Sequence, residues 1–165
     1  MICPNCKNNF SSICLKCGYD PRTQAAKFTP DDLGMGELPH VPMETVHIWL
    51  GVFASEDALD SYFDERMHDD DETPMNDFAA DQGKVFYDHD WVERSFGEGG
   101  DLRSLIAGHS YSESYLENVV EEAKGKRITR ANTFIMADIR EFPSPRSADG
   151  KDYRLWYLGD FPCRG

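Results

Sequence analysis

Four cysteines near the N-terminus have the residue type and the spacing of a metal site. Cys3 and Cys6 form one Cys-x-x-Cys pair, and Cys14 and Cys17 form a second pair after seven intervening residues. Two such pairs supply four thiolates, which suit one tetrahedral zinc ion. The sequence therefore predicts one structural zinc ion per chain in a small module of residues 1–20. Because four thiolates leave no open coordination position, this centre is not expected to catalyse a reaction.

A disulfide framework and a redox motif are two other uses of such cysteines. Disulfides belong to oxidising compartments, and no apolar signal stretch opens the sequence, so we expect a reduced, cytoplasmic protein. A redox Cys-x-x-Cys has a strand–helix context, which this segment lacks. The segment instead resembles the short zinc-ribbon modules of bacterial proteins, which are too small to fold without their metal. Cys163 is expected to be a free thiol without a role.

The tripeptide Asp88-His89-Asp90 is the second candidate for chemistry, because a carboxylate can orient an imidazole for general-base or ligand work. Combined with His47, it would form the site of a metal-dependent hydrolase, the least favoured alternative. No second histidine stands at ligand spacing, and no nucleophile-elbow or phosphate-loop motif is present. We therefore predict that His89 is a surface or capping residue, that His47 is satisfied in the core or at its edge, and that the protein is not an enzyme.

The charge of the chain is concentrated in one segment. Thirty acidic and 17 basic residues give a net charge of −13, and residues 55–101 carry sixteen of the acidic and three of the basic residues. Residues 1–30, in contrast, have a net charge of +3. A negative field repels nucleic acid and anionic membranes and attracts cationic partners. We therefore expect a protein partner with a basic surface and no direct binding of nucleic acid or membranes; the alternative is that the acidic charge only maintains solubility.

Length and composition predict one main domain with a small N-terminal addition. The chain has 165 residues, of which 40% are hydrophobic, enough to bury a core. Residues 21–44 contain four prolines and two glycines without sustained periodicity, which predicts a linker. The main domain then covers residues 45–165. Its periodicity predicts an α+β fold with a small mixed or antiparallel sheet packed against several helices.

Local patterns place the main elements of this domain. The segment 46–53 is apolar at both alternating sets of positions, which predicts a strand covered on both faces. Ser55 is predicted to cap a first helix, Pro74 to open a short second one, and Ser112 to cap the clearest helix. Two further strands are predicted after that helix, at 131–139 and 153–159. Residues 85–96 are ambiguous between strand and helix.

Several short stretches of the main domain form a recognisable set. These stretches are His47–Phe53 with Ser55–Asp57, Tyr62–Phe63, Phe78 with Asp81–Gly83, Phe86–Trp91 with Phe96, Ser110–Ser112, Asn132–Thr133 and Tyr157–Pro162. Together they resemble the immunity protein 22 family of bacterial polymorphic toxin systems over about residues 45–162. The resemblance implies a non-enzymatic α+β protein that binds and blocks a cognate toxin.

An acidic inhibitor can occupy the basic substrate-binding surface of a toxin such as a nuclease, with strong electrostatic steering. We therefore predict that the acidic side chains of the charged segment face the toxin and that Trp91 anchors the contact. The acidic residues concerned are Asp69, Asp70, Asp71, Glu72, Asp88 and Asp90. The runner-up interpretation is an adaptor whose zinc ribbon docks on another protein. The oligomeric state and the identity of the toxin do not follow from the sequence.

Overall fold

A computed structural model of the protein describes residues 45–164. The predicted zinc ribbon and linker, and with them Cys3, Cys6, Cys14 and Cys17, lie outside the described residues and stay predictions. The described residues form five strands and four α-helices. Their order is β1 Thr45–Phe53, α1 Glu56–Phe63, α2 Asp77–Asp81, β2 Val92–Phe96, α3 Leu102–Ala107, α4 Leu116–Gly125, β3 Thr133–Asp138, β4 Ala148–Asp149 and β5 Tyr153–Pro162.

The five strands form one antiparallel sheet in the order β2-β3-β1-β5-β4. Helices α3 and α4 pack on one face of this sheet, and α1 and α2 pack on the other. The architecture is therefore α+β with three layers, and its α+β class and antiparallel sheet agree with the sequence prediction. Because β1 lies at the centre of the sheet, it positions both helical layers.

Strand β1 is buried on both faces, which confirms the sequence prediction. Its side chains alternate between the two sides of the pleat. Val46, Ile48 and Leu50 join an aliphatic cluster with α3 and α4, whereas Trp49 and Phe53 join a cluster rich in aromatic rings with α1 and α2. All five side chains are nearly inaccessible to solvent.

A β-bulge in β5 changes which side chains share a face. Ile48 pairs with Gly159, but its neighbour Trp49 pairs with Tyr157, so Leu158 is an extra residue in the ladder. Gly159 has a φ of 134°, a conformation that glycine adopts at little cost. In a regular strand, positions 157 and 160 would point to opposite faces. The bulge places Tyr157 and Asp160 on the same face, and both contact the same histidine of β1.

The first helix begins where the sequence predicts. The hydroxyl oxygen of Ser55 accepts a hydrogen bond from the backbone N–H of Ala58 at 3.1 Å. The prediction for α2 is wrong by three residues, because the helix begins at Asp77 rather than at Pro74 and Asn76 provides its cap. The Asn76 side-chain oxygen accepts from the N–H of Ala79 at 2.8 Å.

The predicted cap of the clearest helix is also wrong. Ser112 begins a short 3-10 turn, Ser112–Ser114, and α4 starts only at Leu116. The Ser112 hydroxyl is buried and donates to the carbonyl oxygen of Ala107 at 3.0 Å, and the preceding Tyr111 has a left-handed φ of 55°. The chain therefore turns back towards α3 before α4 begins. The ambiguous segment 85–96 contains a 3-10 turn, His89–Trp91, followed directly by β2.

Candidate functional site

The two layers on either side of the sheet differ in charge. Residues 54–91, which include α1, α2 and their loops, are called here the acidic layer and carry thirteen acidic and two basic residues. Residues 97–132, which include α3 and α4, are called the balanced layer and carry six acidic and five basic residues. Among residues 45–164, the excess of negative charge is therefore gathered on one side of the sheet.

Four of the predicted partner-binding residues lie on one exposed loop of the acidic layer. Asp69, Asp71 and Glu72 are exposed, and Asp70 is exposed as well but also closes the loop. Its carboxylate accepts hydrogen bonds from the N–H groups of Glu72 and Thr73, at 2.9 and 2.6 Å, and from the Thr73 hydroxyl. The Thr73 hydroxyl and these backbone bonds lower the pKa of Asp70, so the loop tip is charged at neutral pH.

The other predicted residues surround the 3-10 turn that precedes β2. Asp88 caps this turn by accepting from the N–H of Asp90 at 3.1 Å, and both side chains are exposed. Trp91 is 45% exposed, and the guanidinium carbon of Arg140 lies 5.4 Å from the centre of its ring. Asp138 in turn holds Arg140 at 2.8 Å. Trp91 is thus an exposed aromatic side chain with a fixed position, as an anchor requires.

Glu65 connects these two groups of residues. Its carboxylate lies 2.8 Å from Nδ1 of His89, and it also lines a surface groove together with Asp70 and Asp71. No hydrogen bond or ion pair joins residues 69–72 to residues 88–91 directly in the described part of the chain. The structure therefore places all seven predicted partner-binding residues on one layer, in two neighbouring groups.

Apart from Trp91, the sequence analysis did not select the exposed apolar residues of this layer. Met67 is 99% exposed, Phe86 is 66% exposed and Val85 is 39% exposed. Phe86 is exposed because the chain is extended here and Tyr87 turns inward, where it is 2% exposed. Two adjacent aromatic residues in an extended segment point to opposite sides, so the sequence indicated that one of these two rings is exposed. The sequence alone does not say which one.

The motif Asp81-Gln82-Gly83 stabilises this layer. Asp81 Oδ2 accepts hydrogen bonds from the hydroxyls of Tyr62 and Tyr153, at 2.7 and 2.5 Å. Burial and the Asp81 carboxylate raise the pKa of both tyrosine hydroxyls above the ordinary value of 10.0. The carboxylate thereby joins α1, α2 and β5.

Gln82 and Gly83 attach the loop before β4 to the same helix. Gln82 Nε2 donates to the carbonyl oxygen of Arg146 at 3.0 Å, and the N–H of Arg146 donates back to Gln82 Oε1 at 2.9 Å. The indole N–H of Trp49 donates to the same carbonyl at 3.1 Å. Gly83 has a φ of +68°, and an added methyl group would lie 3.1 Å from the Arg146 guanidinium. These contacts are structural rather than a binding site.

His47 is satisfied within the protein, which confirms its prediction. It is 4% exposed, and its Nδ1 lies 2.9 Å from both Tyr157 Oη and Asp160 Oδ1. The hydroxyl of Tyr157 donates to the same carboxylate. Because Asp160 can only accept, the network assigns the ring proton to Nδ1. His89 is a surface residue, also as predicted, with a side chain that is 62% exposed.

The order Ser95–His109–Glu93 is that of a nucleophile triad, although the sequence showed no such motif. His109 Nδ1 lies 3.0 Å from Glu93 Oε2, and Nε2 lies 2.8 Å from Ser95 Oγ. The Ser95 hydroxyl, however, donates to the carbonyl oxygen of Leu105 at 3.2 Å, so its proton is not directed at the imidazole. The cluster fastens the end of α3 to the edge strand β2. Burial opposes ionisation of Glu93, but hydrogen bonds from Ser110 and His109 outweigh it and lower its pKa.

The hydrolase alternative requires His47, His89 and Asp88 to converge on a metal. His47 contacts Tyr157 and Asp160, whereas His89 contacts Glu65 and Asp90, so the two imidazoles belong to separate clusters. Within residues 45–164, no group of three or more histidine, cysteine, aspartate or glutamate side chains is placed to hold a metal ion.

Cys163 is a buried free thiol, and burial raises its pKa. The described helices include none that is long and apolar enough to span a membrane.

Comparison with known proteins identifies the domain that carries this surface. Residues 46–162 match the protein family described as Immunity protein 22, and this match covers well over half of the chain. The chain belongs to the Immunity protein 22 family. No curated protein and no solved structure matches the sequence. Family membership supports a role in immunity to a toxin, implies a cognate toxin as the partner, and suggests a protein without enzymatic activity.

The stretches that carry the resemblance to Immunity protein 22 divide into two kinds. Most contribute to the fold: Trp49 and Phe78 pack in the core, and the side chain of Asn132 exchanges hydrogen bonds with the backbone of Phe53 at 2.9 and 2.8 Å. The stretch Phe86–Trp91 is the longest of them that is mostly exposed, since only Tyr87 in it is buried. This exposed stretch lies in the acidic layer and not in the balanced layer.

Proposed function

We propose that this protein neutralises its toxin by binding a basic surface of the toxin with the acidic layer. The observation that supports the proposal is the separation of charge across the sheet, with a net charge of −11 on residues 54–91 and −1 on residues 97–132. The toxin class that fits is a nuclease, because enzymes that bind nucleic acid present cationic surfaces to the phosphate backbone.

The exposed carboxylates would act mainly on the rate of association. Charge complementarity between two proteins raises association rates by roughly 10- to 1,000-fold at low salt, and screening reduces this gain as salt increases. The exposed rings of Phe86 and Trp91 would supply the apolar contacts that slow dissociation. The two contributions differ in their salt dependence and can therefore be measured separately.

The test uses the cognate toxin, sought among the products of the genes next to the gene for this chain. The variant Asp69→Asn, Asp70→Asn, Asp71→Asn, Glu72→Gln, Asp88→Asn, Asp90→Asn removes six exposed charges and keeps the hydrogen-bond acceptors of the two caps. We expect its association with the toxin to slow by roughly 10- to 100-fold at low salt, with a flatter dependence on salt concentration. Equal association rates and equal salt dependence for the variant and the natural chain would contradict the proposal.

A further inference from the structure

A groove in the acidic layer has no role in the fold described so far. It lies between the loop 66–75 and the segment 85–86, and its volume is about 480 Å³. This size falls within the range of ligand clefts. The groove combines apolar side chains with carboxylates at its rim. These residues are Met67, Val85 and Phe86 on the apolar side and Glu65, Asp70 and Asp71 at the rim.

Backbone hydrogen bonds fix the walls of the groove. The N–H of Arg66 donates to the carbonyl oxygen of Met75 at 2.7 Å, and the N–H of Met75 donates to the carbonyl oxygen of Val85 at 2.8 Å. Three segments of chain are thereby held side by side, and Asp70 closes the connecting loop through Thr73. A groove built in this way is preformed, so binding an occupant costs little conformational entropy in the groove.

The apolar side of the groove is turned towards solvent rather than towards the core. Met67 and Phe86 are 99% and 66% exposed, and neither belongs to the two buried clusters. Single exposed apolar residues are common on protein surfaces. Here, however, two of them line the same concave surface beside three carboxylates, an arrangement that suits a mixed apolar and charged ligand.

The charges at the rim determine the sign of that ligand. Arg66 also lines the groove, but its guanidinium is paired with Asp77 at 2.8 Å, outside the set of rim carboxylates. His68 lines the groove as well, and Glu65 is paired with His89. The rim is therefore acidic overall and repels anions. An uncharged apolar ligand would gain no electrostatic attraction from these carboxylates, whereas a cationic ligand would.

We infer that the groove binds a lysine or arginine side chain of the toxin. Such a side chain has an apolar stem for Met67 and Val85 and a cationic head for Asp71 and the face of Phe86. Arginine fits best, because its planar guanidinium stacks on aromatic rings and accommodates carboxylates. The inference rests on the proposed function for the identity of the partner, but the affinity of the groove for a cationic side chain is a property of this chain alone.

The experiment is an NMR titration of the full, ¹⁵N-labelled chain with short capped peptides. The probes are N-acetyl-Gly-Arg-Gly-amide and the same peptide with citrulline, which has nearly the same shape as arginine but no charge. We expect the arginine peptide to shift the amide signals of Met67, Asp71 and Phe86 in a saturable manner, and the citrulline peptide to leave them nearly unchanged. Phe86→Ala should lower the affinity for the arginine peptide about threefold, because it removes one exposed cation–π contact.

Tyr111→Ala is the matched control, because Tyr111 is an exposed aromatic residue of the balanced layer, 44% accessible. It should not change the titration. The inference is wrong if the citrulline peptide binds equally well, or if the arginine peptide shifts signals across the whole acidic layer without saturation. It is also wrong if the groove signals do not respond at all.

These outcomes are separate from those of the proposed function. The titration uses no toxin, so its failure would leave the slower association of the six-charge variant standing. Conversely, normal toxin association by that variant would contradict the proposed function and leave the affinity for the arginine peptide intact. If both hold, Phe86→Ala should increase the dissociation rate of the toxin complex about threefold, whereas Tyr111→Ala should not.

Discussion

The two layers that cover the sheet both pack against the core, but they differ in surface charge. The acidic layer packs aromatic rings such as Phe78 against the sheet, and the balanced layer packs aliphatic side chains such as Val119. Both therefore contribute to the core. Their outer surfaces differ, because the balanced layer pairs three of its six acidic side chains with basic ones on the same or a neighbouring helix. These pairs are Arg103–Glu117, Lys124–Glu121 and Lys126–Glu122.

The acidic layer itself contains only Arg66 and Lys84 beside its thirteen carboxylates, and Arg94 of β2 pairs with one of these, Asp60, at 3.0 Å. A protein that needed negative charge only for solubility could carry it on both layers. The comparison instead indicates that the negative charge is concentrated on one surface of the domain. The separation is consistent with a binding role for one layer and a structural role for the other.

The largest expected effect tests whether the position of the charge matters or only its amount. The variant Asp69→Asn, Asp70→Asn, Asp71→Asn, Glu72→Gln should slow toxin association by roughly tenfold or more at low salt, because it removes charge from the acidic layer. The matched control removes four exposed carboxylates from the balanced layer. It carries Glu98→Gln, Glu113→Gln, Glu121→Gln and Glu122→Gln, and we expect it to slow association less than twofold. Similar rates for the two variants, measured by stopped-flow fluorescence, would show that net charge alone is responsible.

The second prediction concerns the polar contacts that stabilise the acidic layer. Asp81→Ala leaves the buried hydroxyl of Tyr62 without its acceptor, so the free energy of unfolding should fall by about 2 kcal/mol. Asp77→Ala, on the same helix, removes an exposed ion pair with Arg66 and should cost less than about 1 kcal/mol. Urea denaturation at pH 7 measures both. Equal losses would mean that the acidic layer does not depend on the Asp81 contacts.

Acid pH should weaken the attachment of the balanced layer through Glu93. Its pKa is lower in the folded state than its ordinary value of 4.5, so its stabilising contribution is complete above that value and is lost as the pH falls through the folded-state pKa. Because the side chain is 36% exposed, this contribution is below about 1 kcal/mol. Glu93→Gln should therefore unfold with a shallower dependence on pH between 5 and roughly 3. The control Glu98→Gln, on an exposed glutamate, should keep the natural pH dependence.

The smallest effect on the two layers is expected from the N-terminal cysteines. Elemental analysis should find one zinc ion per chain, and Cys3→Ser with Cys6→Ser should abolish it. We expect the unfolding midpoint of residues 45–164 and the association rate with the toxin to stay unchanged in this variant. Loss of toxin binding together with zinc would favour the adaptor interpretation, and zinc that survives the substitutions would exclude these four thiolates as its ligands.

Local signals in the sequence were reliable where a local interaction decides the structure. Ser55 caps α1 through a contact three residues away, and the apolar residues of β1 alternate on both faces. The predictions for Pro74 and Ser112 failed because competing contacts decided those positions. The side-chain oxygen of Asn76 accepts from the N–H of Ala79 and so sets the start of α2. The Ser112 hydroxyl donates to the carbonyl oxygen of Ala107 instead of capping α4.

The candidate surface was predictable in part. Its negative charge follows from composition, and the local run of acidic residues led to the prediction of six partner-binding carboxylates, with Trp91 predicted as the aromatic anchor; these residue roles stay predictions. The groove was not predictable, because it depends on backbone bonds from Arg66 to Met75 and from Met75 to Val85. In the same segment, Phe86 faces solvent while Tyr87 is buried.

The sequence by itself determined the α+β class, the double-sided central strand, the family and the excess of negative charge. These properties follow from periodicity and short motifs, which involve residues close together in the chain, and from composition, which does not depend on the fold. Only the tertiary structure decided that the charge gathers on one side of the sheet and that His47 meets Asp160, 113 positions away in the chain. Strand register and the bulge at Leu158 determine such contacts, because a shift of one residue turns every side chain of a strand to the opposite face.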